Sequence, residues 1–142
     1  MTLFNFEAHT PQRRFFDDKV QAIVITLLDG EMGIYAKHSP FVGVSVTGIL
    51  KILDSEGCWK TAFATGGILE VKEYKTVLMT DIAEWPEEID KDSVLAAKQE
   101  AEEILKESQF KFEIEKAKEN LRRAEFRLKI LEECPIEQNP KK

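Results

Sequence analysis

From Thr2 to about Asp81 the apolar residues come in short runs with a period of two, the pattern of strands that bury one face. The runs are Leu3-Phe4-Asn5-Phe6, Phe15-Phe16, Val20 to Leu28 around Ile23-Val24-Ile25, Val42 to Val46, Ile49 to Leu53, Trp59 to Ala64, Ile68 to Val71 and Thr76 to Ile82. Between them stand Asp29-Gly30, Ser39-Pro40, Thr47-Gly48, Glu56-Gly57, Gly66-Gly67 and Glu73-Tyr74-Lys75, residue types that turn a chain sharply. Many short strands with no helix-length pattern among them predict a sandwich or flattened barrel, and exclude a Rossmann-type sheet.

At Trp85-Pro86 the period changes. Proline disfavours helix at the residue before it and suits the first turn of a new helix, so a hinge is expected here. Asp90 is the expected N-cap of a helix in which Val94, Ala97, Ala101, Ile104 and Leu105 recur at helical spacing to about Lys106. After Glu107-Ser108-Gln109, Ile114, Ala117, Leu121, Ala124, Leu128 and Leu131 form a second stripe at alternating spacings of three and four. Two single-striped helices in succession predict an antiparallel hairpin, with small alanines allowing close approach. The expected class is therefore α+β: a β-sandwich over residues 1–85, a helical hairpin over 86–134 and a flexible polar tail over 135–142. Such a hairpin buries apolar groups on one side only, so it is marginal alone and needs a surface to dock on. Phe112, Phe126 and Ile130 lie off the main stripe; they suit either a second, alternative contact or fixed packing on the sandwich.

All seven glycines of the 142 residues fall between Gly30 and Gly67, which reinforces the division into a turn-rich sheet and a helical remainder. A formal net charge of -6 argues against a nucleic-acid partner, since phosphate binding depends on clustered Lys and Arg. No stretch approaches the roughly 20 apolar residues that span a bilayer, and the amino terminus lacks a signal-peptide pattern, so a soluble chain without direct membrane insertion is expected. Two cysteines, Cys58 and Cys134, are too few for a disulfide framework or a metal cluster.

Candidate chemistry is sparse. Nucleophilic catalysis needs a base beside a Ser, Cys or Thr, yet only His9 and His38 are available and no nucleophile-elbow pattern surrounds Ser39. No catalytic or metal site is expected. The glycines at 30, 33, 66 and 67 precede neither a P-loop lysine nor a helix start, so they read as turn residues. Glu115 with Lys118, and Glu119 with Arg122 or Arg123, have the spacing of a solvated charged face. Arg122, Arg123 and Arg127 form a basic cluster suited to pairing with carboxylates or with a phosphate.

Gly30-Glu31-Met32-Gly33-Ile34 followed by His38-Ser39-Pro40, then Gly48-Ile49-Leu50, Gly66-Gly67-Ile68-Leu69-Glu70-Val71, Asp81-Ile82-Ala83-Glu84 and Glu88-Ile89-Asp90 resemble the epsilon subunits of F-type ATP synthases in order and spacing. Phe6-Glu7 with Thr10-Pro11, and Arg123-Ala124 with Arg127-Leu128, extend the resemblance from about residue 2 to residue 131. It implies a sandwich of about ten strands followed by a helical hairpin. It also implies a subunit with no active site of its own, in the rotating central stalk, bound to the gamma subunit and touching the c-ring. The hairpin of such a subunit folds onto the sandwich or extends toward the alpha and beta subunits, where it restrains ATP hydrolysis. The location implied is the cytoplasmic face of a bacterial cell membrane, or the stromal face of a plastid thylakoid.

Glu31 and His38 occupy positions that resemble the family's ring-facing loop and are the interface candidates. The family's usual Leu-Pro is replaced here by Tyr35-Ala36, which implies a less rigid loop. Some members hold ATP between the folded helices. Of the residues that the resemblance assigns to that role, Glu84, Ile89, Asp90, Arg123 and Arg127 are present, whereas Ser93-Val94 stands in place of Arg-Ala and Glu100 in place of a basic residue. Losing one cation and reversing another implies weak ATP binding or none, with ATP at most a regulatory ligand and no cofactor.

Overall fold

The computed structural model describes residues 2–133, so the tail expected over 135–142, like Cys134, lies outside the described residues. The chain divides into two compact units that meet between Glu84 and Trp85.

The first unit carries nine strands: β1 (Phe4–His9), β2 (Arg14–Leu27), β3 (Gly30–Tyr35), β4 (Phe41–Ser45), β5 (Gly48–Asp54), β6 (Trp59–Ala64), β7 (Gly67–Val71), β8 (Lys75–Thr80) and β9 (Ala83–Glu84). They run in the order β1-β8-β7-β4-β2-β5-β6-β9, with β3 on β2 and a further pairing of β1 with β2. All pairs are antiparallel except β1 with β8. The 14-residue β2 serves both layers, since its first half pairs with β1 and its second half with β3 and β5. A register shift between Val20 and Ala22 marks the passage from one to the other.

Period-two alternation builds the core. Phe4, Phe6 and Ala8 of β1 are buried while Asn5, Glu7 and His9 are not, and the same rule buries Leu50 and Ile52 of β5 and Leu69 and Val71 of β7. Each large side chain among these stabilises the fold by roughly 1.5–3 kcal/mol relative to exposure. Two buried hydroxyls at the edge of this core, those of Thr65 and Thr80, are paired with each other. Thr80 Oγ1 donates to the Thr65 carbonyl at 2.7 Å, and Thr65 Oγ1 accepts the Ile82 N–H at 3.0 Å, joining the ends of β6 and β8 to the chain entering β9.

Three local expectations are corrected. Phe15-Phe16 and Val20 to Leu27 are parts of one strand, with Leu28 in the turn after it, because backbone pairing with β1 carries β2 through the polar Asp17-Asp18-Lys19. Gly30 and Gly33, read as turn residues, belong to a strand, Gly30–Tyr35, that buries only Ile34, too little to leave a hydrophobic signature. Gly67 is a strand residue facing β8 and not a turn glycine.

The second unit opens with a 3-10 turn, Pro86–Glu88, in which the Trp85 N–H donates to Glu88 Oε1 at 2.9 Å. α1 (Lys91–Glu107) and α2 (Lys111–Glu133) come next as a hairpin. Asp90 occupies the N-cap position but not by the expected bond: its carboxylate accepts the Ser93 hydroxyl at 2.7 Å, and no side-chain cap bond to a backbone N–H forms. At the connection, Ser108 Oγ donates to Glu113 Oε1 at 2.7 Å and accepts the Phe110 N–H at 3.2 Å, which starts α2 at Lys111. Both helices rise about 1.5 Å per residue, so positions equidistant from Gln109 face each other: Ala101 with Ala117, and Val94 with Ala124. These four are buried, as two facing stripes of small residues require. Among the described residues no helix is long and apolar enough to cross a membrane.

Candidate functional site

Edge-to-edge registers assemble a surface from strands that are distant in sequence. Val44 of β4 is opposite Ile68 of β7, Ile68 is opposite Met79 of β8, and Met79 is opposite His9 of β1. Directly paired residues share a face, so Val44, Ile68 and Met79 form one apolar row, exposed by 46%, 48% and 56%. Val42 lies two residues along β4 on the same face and is also exposed. Leu28, whose N–H donates to the Val44 carbonyl at 3.0 Å, extends the patch toward the β2–β3 turn.

Charged groups border it. Across the neighbouring row Val42 is opposite Glu70, Glu70 opposite Val77, and Val77 opposite Glu7. Glu7 takes the His9 ring N–H at 2.9 Å and Lys75 Nζ at 3.2 Å, and Asn5 Nδ2 donates to both Glu7 and Asp17. The hydrogen bond from His9, then that from Lys75, holds the Glu7 carboxyl below its ordinary value. An apolar centre with a polar rim has the anatomy of a protein-docking face.

No expectation singled out these apolar residues. The available signal is in β4, where Val42 and Val44 alternate with Gly43 and Ser45; Ser45 is buried, so the small residues take the inward positions and the valines the outward ones.

The candidate interface residues are not brought together. Glu31 is exposed near the start of β3, beside the β2–β3 turn, while His38 lies beyond the far end of that strand. At about 3.4 Å per residue, Glu31 and Tyr35 alone are about 14 Å apart along β3. They therefore do not share one loop. His38 Nδ1 lies 2.8 Å from the Ser39 carbonyl, and its ring stands 5.4 Å from that of Phe41. The Lys37 N–H donates to the Glu73 carbonyl at 2.8 Å, tying this loop to the β7–β8 turn. The loop with Tyr35-Ala36 is thus anchored by its backbone.

Four of the ATP candidates fall in the second unit. Ile89 and Asp90 precede α1, and Arg123 and Arg127 lie one turn apart on α2, at the end of the hairpin away from the Ser108 connection. Glu84 belongs to β9 in the first unit. Arg123 Nε donates to Glu119 Oε2 at 3.1 Å and Arg122 to Glu119 Oε1 at 2.9 Å, so one carboxylate engages both guanidinium groups. With Asp90 holding Ser93, both Asp90 and Arg123 are already engaged within their own helical segments. Among the described residues no group of three or more His, Cys, Asp or Glu is arranged to hold a metal ion.

Residues 3–86 match the family model "ATP synthase, Delta/Epsilon chain, beta-sandwich domain" and residues 87–132 match "ATP synthase, Delta/Epsilon chain, long alpha-helix domain". The chain belongs to the ATP synthase delta/epsilon family. It is 44% identical over 133 residues to the ATP synthase epsilon chain of Caldicellulosiruptor saccharolyticus, covering 94% of this chain and 96% of that relative. The corresponding chain of Caldicellulosiruptor bescii is 43% identical over the same shares. In fold, the chain is similar to one in the cryo-EM structure of the Euglena gracilis mitochondrial ATP synthase with OSCP, F1 and c-ring in rotational state 1. That match has a TM-score of 0.70 at 24% identity and covers 98% of this chain and 82% of the other. Epsilon chains are non-catalytic stalk subunits, so the family agrees with the scarcity of catalytic residues in the sequence.

Proposed function

We propose that this chain works in the central stalk of a rotary F-type ATP synthase, where it couples ion translocation to ATP synthesis and restrains ATP hydrolysis through its helical hairpin. The observation that carries the reading is the exposed apolar row Val44-Ile68-Met79, with Val42 beside it and the Glu7, His9, Lys75 and Glu70 rim around it. A stable partner with an apolar patch of its own must cover that face, and the gamma subunit is that partner. The β2–β3 turn, with exposed Leu28 and Glu31, meets the c-ring. The complex holds the chain peripherally on the cytoplasmic face of a bacterial cell membrane.

The hairpin is the regulatory part. The buried residues of its two helices are Val94, Ala101, Ala117, Ala124 and Ile130, three of the five being alanines, so a competing surface on the alpha and beta subunits can draw it out. ATP is at most a weak ligand of the hairpin, because Ser93 and Glu100 supply no cation and Glu119 already takes Arg123.

Co-purification with gamma tests the docking face. The full chain is expected to retain gamma, and a Val44→Asp, Ile68→Asp variant, folded by circular dichroism, is expected to lose it. Undiminished retention by the double variant would refute the assignment of that face. Truncation after residue 86 tests the hairpin: the assembled complex should hydrolyse ATP faster, and an unchanged rate removes the regulatory role.

A further inference from the structure

The two-residue β9 is the last part of the sandwich before the chain leaves it, and it is too short to hold itself. One side pairs with β6 through Ala83 opposite Ala64 and Glu84 opposite Phe63. A second attachment comes from the opposite end of the sequence: the Arg13 guanidinium donates to the Ala83 carbonyl at 3.0 Å, in a partly buried setting. Arg13 is itself fixed. Its N–H and carbonyl both bond to Thr10 backbone groups, the Thr10 hydroxyl caps the same turn, and its guanidinium carbon lies 5.1 Å from the centre of the buried Phe15 ring.

We infer that Arg13 is a positioning residue for the hinge: it pins Ala83 to the sandwich, so that the chain leaves at one point, Trp85. A charge-assisted bond to a carbonyl is stronger than a neutral one, and it acts on the strand least able to resist fraying. Just beyond, the Trp85 N–H is held by Glu88, which makes Glu84-Trp85 the short joint between two secured segments. Without Arg13 the point of departure retreats toward the Thr65–Thr80 hydroxyl pair, and the tether of the hairpin lengthens. The part of this inference that concerns hairpin movement rests on the regulatory reading above; the pinning of β9 does not.

Hydrogen exchange on the full chain tests the pinning. In Arg13→Gln, amides of Ile82 to Trp85 are expected to exchange about tenfold faster or more, with β1, β5 and the centre of β8 within about twofold of wild type. Arg13→Lys, which keeps the charge and one donor, should restore part of the protection. Unchanged exchange at Ile82 to Trp85 would overturn the inference, and so would a rise spread evenly over the sandwich, which would mean that Arg13 merely supports the fold. A second readout addresses the tether: spin labels on the natural Cys58 and on an introduced Leu95→Cys, in a Cys134→Ser background, should give a broader distance distribution in Arg13→Gln. Faster exchange without broadening would retain the pin and refute its control of the hairpin, leaving the two readings distinguishable.

Discussion

Gly67→Ala probes how closely the sandwich is built. An added Cβ would lie inside the contact distance of the Met79 carbonyl oxygen, 2.9 Å from its carbon and 3.0 Å from the Thr80 Cα. All three are backbone atoms of β8, the strand to which Gly67 is paired, so no rotamer change relieves the clash. The strands must part. Overpacking costs about 1–3 kcal/mol and each ladder hydrogen bond lost about 1 kcal/mol more, giving about 3–5 kcal/mol in all. For a unit of this size, with a total stability of about 4–13 kcal/mol, that is a large share. At about 4–8 °C per kcal/mol, the calorimetric melting temperature of the sandwich should fall by about 12–40 °C. Two controls have opposite expectations. In Gly43→Ala the new methyl meets the Phe41 ring at 3.1 Å and the Leu27 Cδ1 at 3.4 Å, side-chain atoms that can yield, so the cost stays below about 1 kcal/mol. Gly33→Ala makes only an ordinary contact with Tyr35 at 3.5 Å at a φ outside the left-handed region, so it should be neutral or stabilise by up to about 1 kcal/mol. A Gly67→Ala protein melting within about 5 °C of wild type, or no lower than Gly43→Ala, would refute the reasoning.

Other expectations rest on single contacts. Because bonds from His9 and Lys75 lower the Glu7 pKa, its stabilising contribution is present above the unfolded-state value and is lost as pH falls through the lower folded value. The melting-temperature gap between wild type and Glu7→Gln should therefore be open at pH 7 and close below about pH 4; a gap that widens in acid contradicts the assignment. Ala117→Leu should wedge the helices apart at a cost of about 1–3 kcal/mol, seen as earlier loss of helical ellipticity, and in the assembled complex it should favour the extended hairpin; unaltered helix melting would mean that Ala117 does not limit the approach. Calorimetry of the isolated chain should show no binding at micromolar ATP, and saturation there would overturn the weak-ligand reading. Cross-linking from Glu31→Cys should yield a product with the c subunit, whereas His38→Cys, beyond the opposite end of β3, should not; equal yields would argue against separate faces.

Much of this organisation is legible in the chain because it rests on short-range preferences. Alternation marked β1 and β5 to β8, the Trp85-Pro86 dipeptide marked the change of rule, and the spacing from Ile114 to Leu131 marked the second helix. Each depends on local backbone geometry and on which side of an element is apolar, quantities a linear pattern carries. Pairing is a different kind of information. Continuation of β2 through Asp17-Asp18-Lys19 depends on β1, and the strand state of Gly30 to Tyr35 depends on β2, so neither leaves a local trace. The same holds for the surface: Val44, Ile68 and Met79 are ordinary strand residues until β4, β7 and β8 align them, and only then does an exposed apolar row exist. Arg13 and Ala83 are far apart in sequence, and closing the sandwich brings donor to acceptor. The sequence by itself determined the family, the helices and most of the strands. Tertiary structure decided which side chains meet a partner and where the chain is pinned, because those properties belong to distances between segments and not to any one of them.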